Sequence, residues 1–155
     1  MGVWTSENPD ILGFLVESVK TRFNVDSHRV YPSGFSGGGC AALATALKQS
    51  GYFAAVAAYS GIILPKQTTS FRLNDGRTPI AIWAGDKDER VSRKQLNYSV
   101  DFLKNNGFPV QITIVPGAGH HGMERDEINA AFWSFLESKV RDGDPHWINY
   151  ALSAR

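Results

Sequence analysis

The sequence predicts an α/β domain: a mainly parallel sheet of about four strands, with helices on both faces. Three observations point there. Short apolar runs at 53–59, 79–84 and 110–115 alternate with stretches whose apolar residues recur at helical spacing. These runs read as apolar throughout, as expected of strands covered on both faces. A glycine-rich turn, Gly34-Phe35-Ser36-Gly37-Gly38, joins a further strand signal to a helix-forming run. With no repeat, low-complexity tract or interdomain linker, residues 1–155 read as a single domain, long enough to bury a core.

Taken in order, Asn8-Pro9-Asp10 reads as a helix start, with Asn8 as N-cap and Pro9 at the first helical position. Ile11, Leu12, Leu15, Val16 and Val19 mark the face expected to point inward, and the helix is expected to fade near Arg22–Asn24. Asp26 and Ser27 turn the chain into a strand expected over Arg29–Ser33. The helix leaving the glycine-rich turn begins with Ala41–Leu47 and is expected to end at Gly51, a natural residue just past a helix. Phe53–Tyr59 is the next strand, ended by Ser60-Gly61. Residues 62–78 form the longest irregular segment; loops of that length are functional or disordered as a rule, and this one follows a strand's carboxyl end, where open α/β sheets keep ligands.

Pro79–Ala84 is the third strand. Ser92 and Gln95 form a capping box for a helix that turns Leu96, Val100 and Leu103 inward and stops at Asn106-Gly107. Val110–Val115 is the fourth strand. Glu124, Asp126 and Glu127 favour a last helix, with Ile128, Ala131, Phe132, Phe135, Leu136 and Val140 as its apolar face, broken by Asp142–Pro145. The tail from His146 is expected to add a short helix docked through Trp147, Ile148 and Leu152.

Composition excludes several classes. A net charge of +1 gives no reason to expect nucleic acid or a membrane surface as partner. One cysteine, Cys40, rules out an internal disulfide framework and reads as a small buried hydrophobe. No apolar run approaches transmembrane length. No signal peptide is visible, so the expected location is cytoplasmic, or secreted for a processed or truncated form. The start, Met1–Ser6, fits a myristoylation pattern that is too short to weigh much.

The glycine-rich turn matches G-x-S-x-G between strand and helix. A nucleophilic serine must stand on a sharp turn to project clear of a sheet. The residues two before and two after it are then crowded, which suits Gly34 and Gly38. The helix that follows aims its first amides at a developing oxyanion. The plain alternative is a glycine-rich turn with a buried, hydrogen-bonded serine. A dinucleotide fingerprint at Gly37–Ala42 is disfavoured, because its first glycine already follows the turn and no acid ends a second strand about 20 residues on. A serine nucleophile needs a base, and the base an orienting carboxylate. Asp86 or Asp88 follows the third strand, and His120 or His121 the fourth. His28 and His146 read as structural or surface residues, and Trp83 as core.

These segments resemble the carboxyl-terminal part of an α/β-hydrolase, in particular serine esterases of the carboxylesterase, feruloyl-esterase and polyhydroxybutyrate-depolymerase kind. Arg29–Gly39, Ala84–Val91 and Pro116–His120 carry the resemblance, which extends from about Asn8 to Val140. It implies Ser36 as nucleophile, His120 as base after Gly-x-Gly, and Asp88 as acid after Gly-x-x with Val91 following. It also implies Gly37 N–H as an oxyanion donor, and Phe35 and His121 as candidate substrate contacts. Small-molecule esters are the expected substrates, with no metal or organic cofactor. A serine peptidase of this fold, or an impaired hydrolase-like binding module, is the alternative. Only about 30 residues precede the nucleophile, fewer than the strands of a full hydrolase need. The elbow strand is therefore expected at a sheet edge, and a homodimer or other homo-oligomer is expected to cover it.

Overall fold

Four strands pair side by side in the order of the chain: β1 (Ser33–Phe35), β2 (Val56–Tyr59), β3 (Ile80–Gly85) and β4 (Val110–Val115). Every neighbouring pair is parallel. The computed structural model describes residues 10–65, 77–122, 125–145 and 147. Helices α1 (Asp10–Lys20), α2 (Gly37–Lys48), α3 (Arg93–Asn105) and α4 (Asp126–Glu137) complete it.

The two central strands explain the two-sided architecture. Alternate side chains leave a strand on opposite faces. Val56 and Ala58 of β2 and Ile80, Ile82 and Ala84 of β3 meet Leu43 and Leu47 of α2 and Leu96, Val100 and Leu103 of α3. Ala57, Tyr59, Ala81 and Trp83 point the other way, onto Ile128, Phe132, Phe135 and Leu136 of α4. The register keeps like with like: Val56 opposes Ile80, and Tyr59 opposes Trp83. Burying each large aliphatic side chain in such a layer stabilises by roughly 1.5–3 kcal/mol. The capping box at Ser92 and Gln95 is formed, and Gly107 ends α3 with φ +79°.

The edges differ from expectation. The strand expected over 29–33 is instead a 3-10 turn at Ser27–Arg29, then β1 at Ser33–Phe35. Asp26 causes the turn by accepting a hydrogen bond from His28 N–H at 2.9 Å, a bond that competes with a ladder. Pro32 has no N–H to give the ladder. β1 is an edge strand, as expected, but only partly buried. β4 forms the other edge, and its Gln111, Ile112 and Thr113 are exposed rather than covered on both faces. β2 begins at Val56, with Phe53, Ala54 and Ala55 forming its buried lead-in. α2 stops at Lys48 with Gln49 as C-cap, so Gly51 is not its terminator.

The inward face expected of α1 is borne out only in part, since Leu12 and Val16 are half-buried. Leu15 and Val19 are exposed, beside Phe14. Gly13 is buried instead, so close to the Trp147 ring that a Cβ there would lie 2.6 Å from it. Trp147 stacks edge-on to Tyr52, whose hydroxyl bonds Glu17 and Lys20 of the helix. An aromatic ledge thus captures the smallest residue of the helix, while Phe14, Leu15 and Val19 face outward. Val140 lies past the end of α4, and it and Ala131 are exposed. Asn8, Pro9, residues 66–76 of the long loop, Glu124, His146, Ile148 and Leu152 fall outside the described residues.

Candidate active site

Three loops at the carboxyl ends of the strands bring the polar groups together. After β1 the chain turns at Ser36, which has φ +52° and ψ −117°, a backbone region that side chains rarely adopt. Its N–H bonds the Tyr59 carbonyl at 2.9 Å, and its own carbonyl accepts the first bond of α2, from Cys40 N–H. The amides of Gly37, Gly38 and Gly39 precede that bond and have no partner within the helix. The crowding is real but falls differently from expectation. A Cβ on Gly34 would lie 2.5 Å from the Gly38 carbonyl carbon, whereas a Cβ on Gly38 itself would meet nothing within 4 Å. The second tight position is Gly39, packed against Gly61: a Cβ on Gly61 would lie 2.7 Å from the Gly39 carbonyl carbon.

The loops after β3 and β4 are tied to each other. Lys87 N–H bonds the Ala118 carbonyl at 3.0 Å, and Asp86 N–H bonds that of Val115. A Cβ on Gly85 would lie 2.0 Å from the Ala118 oxygen, so the glycine opening the acid loop is what admits the base loop. His120 emerges from this knot with Nε2 2.8 Å from Ser36 Oγ. Its Nδ1 lies 3.0 and 3.1 Å from the two Asp88 oxygens. The His120 and Asp88 side chains are 2% and 1% exposed.

Asp88 is well provided with donors. Arg90 and Val91 amides bond its Oδ1 at 2.9 and 2.8 Å. Burial pushes its carboxyl up, but the Val91 amide, the nearby Ser60 hydroxyl, the Arg90 amide and His120 together hold it below the usual aspartate value. Asp86 is exposed in the turn. Phe35 packs on the His120 ring at 5.0 Å between centroids and on His121 at 5.5 Å. His121 itself is exposed.

Other expectations resolve simply. His28 Nδ1 meets the Arg141 carbonyl, far from the site. Trp83 is core, against Phe132 and Phe135. Cys40 is half-buried rather than fully buried, and its Sγ accepts a hydrogen bond from Ile62 N–H. Among the described residues no group of three or more His, Cys, Asp or Glu side chains could hold a metal ion, and no helix is long and apolar enough to cross a membrane.

Sequence reasoning missed four contributors. Glu89 accepts the His120 backbone N–H at 3.1 Å. Tyr59 supplies the carbonyl under Ser36, and its buried hydroxyl needs Gly122, where a Cβ would collide with it. Ser60 is buried beside the acid at φ +49°. Gly61 packs on Gly39. The only sequence signal for the last two was their place at the carboxyl end of a strand.

A family model described as the dienelactone hydrolase family matches residues 3–140. The chain belongs to the dienelactone hydrolase family. Solved structures share its fold. One titled esterase PE8 superposes with TM-score 0.70 at 22% identity, over 88% of this chain and 62% of that one. SOBER1 of Arabidopsis thaliana gives 0.72 at 20% identity, over 89% and 66%. An acylaminoacyl peptidase of Pyrococcus horikoshii gives 0.65 at 20% identity, over 90% and 28%. This dienelactone hydrolase family chain therefore spans less than two thirds of the length of each. No curated protein matches it.

Proposed function

We propose that the chain is a serine esterase working through Ser36, His120 and Asp88. The carrying observation is the unbroken contact from Ser36 Oγ to His120 Nε2 and from His120 Nδ1 to Asp88, at 2.8 and 3.0 Å. Ser36 Oγ attacks the ester carbonyl carbon while His120 Nε2 takes the hydroxyl proton. The oxyanion accepts a hydrogen bond from Gly37 N–H, an amide at the start of α2 with no partner within the helix. Collapse of the intermediate breaks the bond to the alcohol, which leaves with the proton from Nε2. Water then attacks the acyl-serine, giving its proton to Nε2 and its hydroxyl to the acid product, and Ser36 recovers its hydrogen. Asp88 accepts from Nδ1–H throughout, fixing the tautomer and stabilising the imidazolium. His121, exposed beside the base, is the candidate substrate contact; Phe35 braces both histidine rings.

A short-chain nitrophenyl ester assay and labelling with a fluorophosphonate test this reading. The probe is expected on Ser36, and Ser36→Ala is expected to lower kcat by roughly 10⁴–10⁶. Turnover by Ser36→Ala close to that of the unaltered chain overturns it. A serine peptidase would use the same acyl-enzyme, so the ratio of rates on an ester and an amide of one acyl group separates the two.

A further inference from the structure

Ser60 is an awkward residue for its place. It follows β2 with φ +49°, where glycine alone is unstrained, and it is 1% exposed. Its N–H bonds the Trp83 carbonyl at 2.8 Å, while its Oγ finds no partner in hydrogen-bond geometry among the described residues. Backbone strain and a buried orphan hydroxyl each disfavour serine there. Glycine would remove both costs and alanine one.

Asp88 offers what the hydroxyl lacks. An ionised carboxylate has about four acceptor sites. Oδ1 already takes the Arg90 and Val91 amides and faces His120 Nδ1, whereas among the described residues Oδ2 has only the contact with His120 Nδ1, at 3.1 Å. A site on Oδ2 is left open, and the Ser60 hydroxyl is near enough to help hold the Asp88 carboxyl down. The same stretch also touches the nucleophile: Tyr59 receives the Ser36 amide, and Gly61 seats against Gly39.

Building on the esterase reading, we propose that Ser60 is a positioning residue for the acid, its hydroxyl donating to Asp88 Oδ2 and fixing the carboxylate as His120 gains and loses its proton. When His120 becomes a cation the carboxylate could rotate or slide along the imidazole edge. Two amides on Oδ1 and one hydroxyl on Oδ2 hold both oxygens. Ser60 touches no substrate and transfers no proton; it acts through Asp88.

The test uses Ser60→Gly and Ser60→Ala, both of which remove the hydroxyl, with strain relieved in one and kept in the other. Active sites are counted with the fluorophosphonate before kcat and KM are measured. The Asp88 carboxyl is followed by ¹³C NMR against pH, with Asp88→Asn to assign its signal. Glu89, Tyr59 and His120 face the carboxyl, with Asp86, Lys87 and Arg90 on its own loop and Arg125 acting on Tyr59; all stay unaltered in both variants. Both variants are expected to lose about tenfold in kcat with KM within about twofold, as for one hydrogen bond to a charged group. Both are expected to titrate Asp88 at a higher pH than the parent. An unmoved Asp88 midpoint overturns the proposal whatever happens to kcat, since a merely structural serine would not move it. The midpoint is read without turnover, so it decides the role of Ser60 even where the esterase reading fails. Ser60→Cys keeps the volume with a far weaker donor and carries the same comparison should the smaller variants not fold.

Discussion

His120 is restrained at three atoms: its backbone N–H by Glu89, Nδ1 by Asp88, and Nε2 by Ser36. A base so held should tolerate no replacement, while its neighbours should. His120→Ala and Asp88→Asn are expected to lose roughly 10⁴-fold in kcat, and His121→Ala and Asp86→Asn less than about tenfold. Steady-state kinetics on the four variants checks the assignment. Asp88 also links the site to acid stability. Its folded-state value lies below the unfolded one, so it contributes stability above an ordinary aspartate value of about 4 and loses it as pH falls through the folded value. Asp88→Asn removes that contribution. Its Tm deficit relative to the parent is expected to shrink between pH 6 and pH 3, as measured by thermal unfolding. The meeting of Ser36, Asp88 and His120 was legible because the α/β-hydrolase resemblance set each at a fixed spacing from a glycine. Ser60 was not, because its partner lies 28 positions away and nothing local distinguishes it from a turn serine.

At the scale of elements, the site depends on close approach of backbones. Gly34 and Gly61 sit where a Cβ would press on the main chain of the neighbouring turn, at 2.5 and 2.7 Å, and main chain cannot swing aside. Gly34→Ala and Gly61→Ala are each expected to cost about 2–4 kcal/mol, by overpacking. Gly38→Ala is the control. It meets nothing within 4 Å, lies inside α2, and is expected to gain about 0.5–1 kcal/mol from helix propensity. Urea unfolding of the three variants reads the difference. The strands of the core were legible because burial on both faces leaves an apolar run. α1 was legible as a helix but only partly in its orientation, with Leu12 and Val16 half-buried as expected and Leu15 and Val19 not. Its stripe of large apolar residues suggested one face, and the contact that decides is made by Gly13 with a tryptophan 134 positions on. β1 starts four residues later than expected because the local bond from Asp26 outweighs the β propensity of Val30 and Tyr31.

For the molecule as a whole, the order of strands in space repeats their order in sequence, and Ser36, Asp88 and His120 follow β1, β3 and β4. That arrangement was legible, since the polar residues come after successive apolar runs, in the order associated with the α/β-hydrolase arrangement. It also has a meaning in time. As the chain is assembled from its amino end, Ser36 and its turn can form long before the imidazole that would activate it. On the esterase reading, a nascent or half-refolded molecule would hold an idle hydroxyl until β4 pairs with β3 and α4 packs on Trp83. Recovery of ester hydrolysis after dilution from urea is therefore expected to coincide with the final fluorescence phase of Trp83, isolated in a variant with the other three tryptophans replaced. Hydrolysis that returns ahead of that phase would mean the base reaches the serine without its strand. Where the two coincide, the chain is guarded against premature chemistry simply by the sequence in which its parts are made.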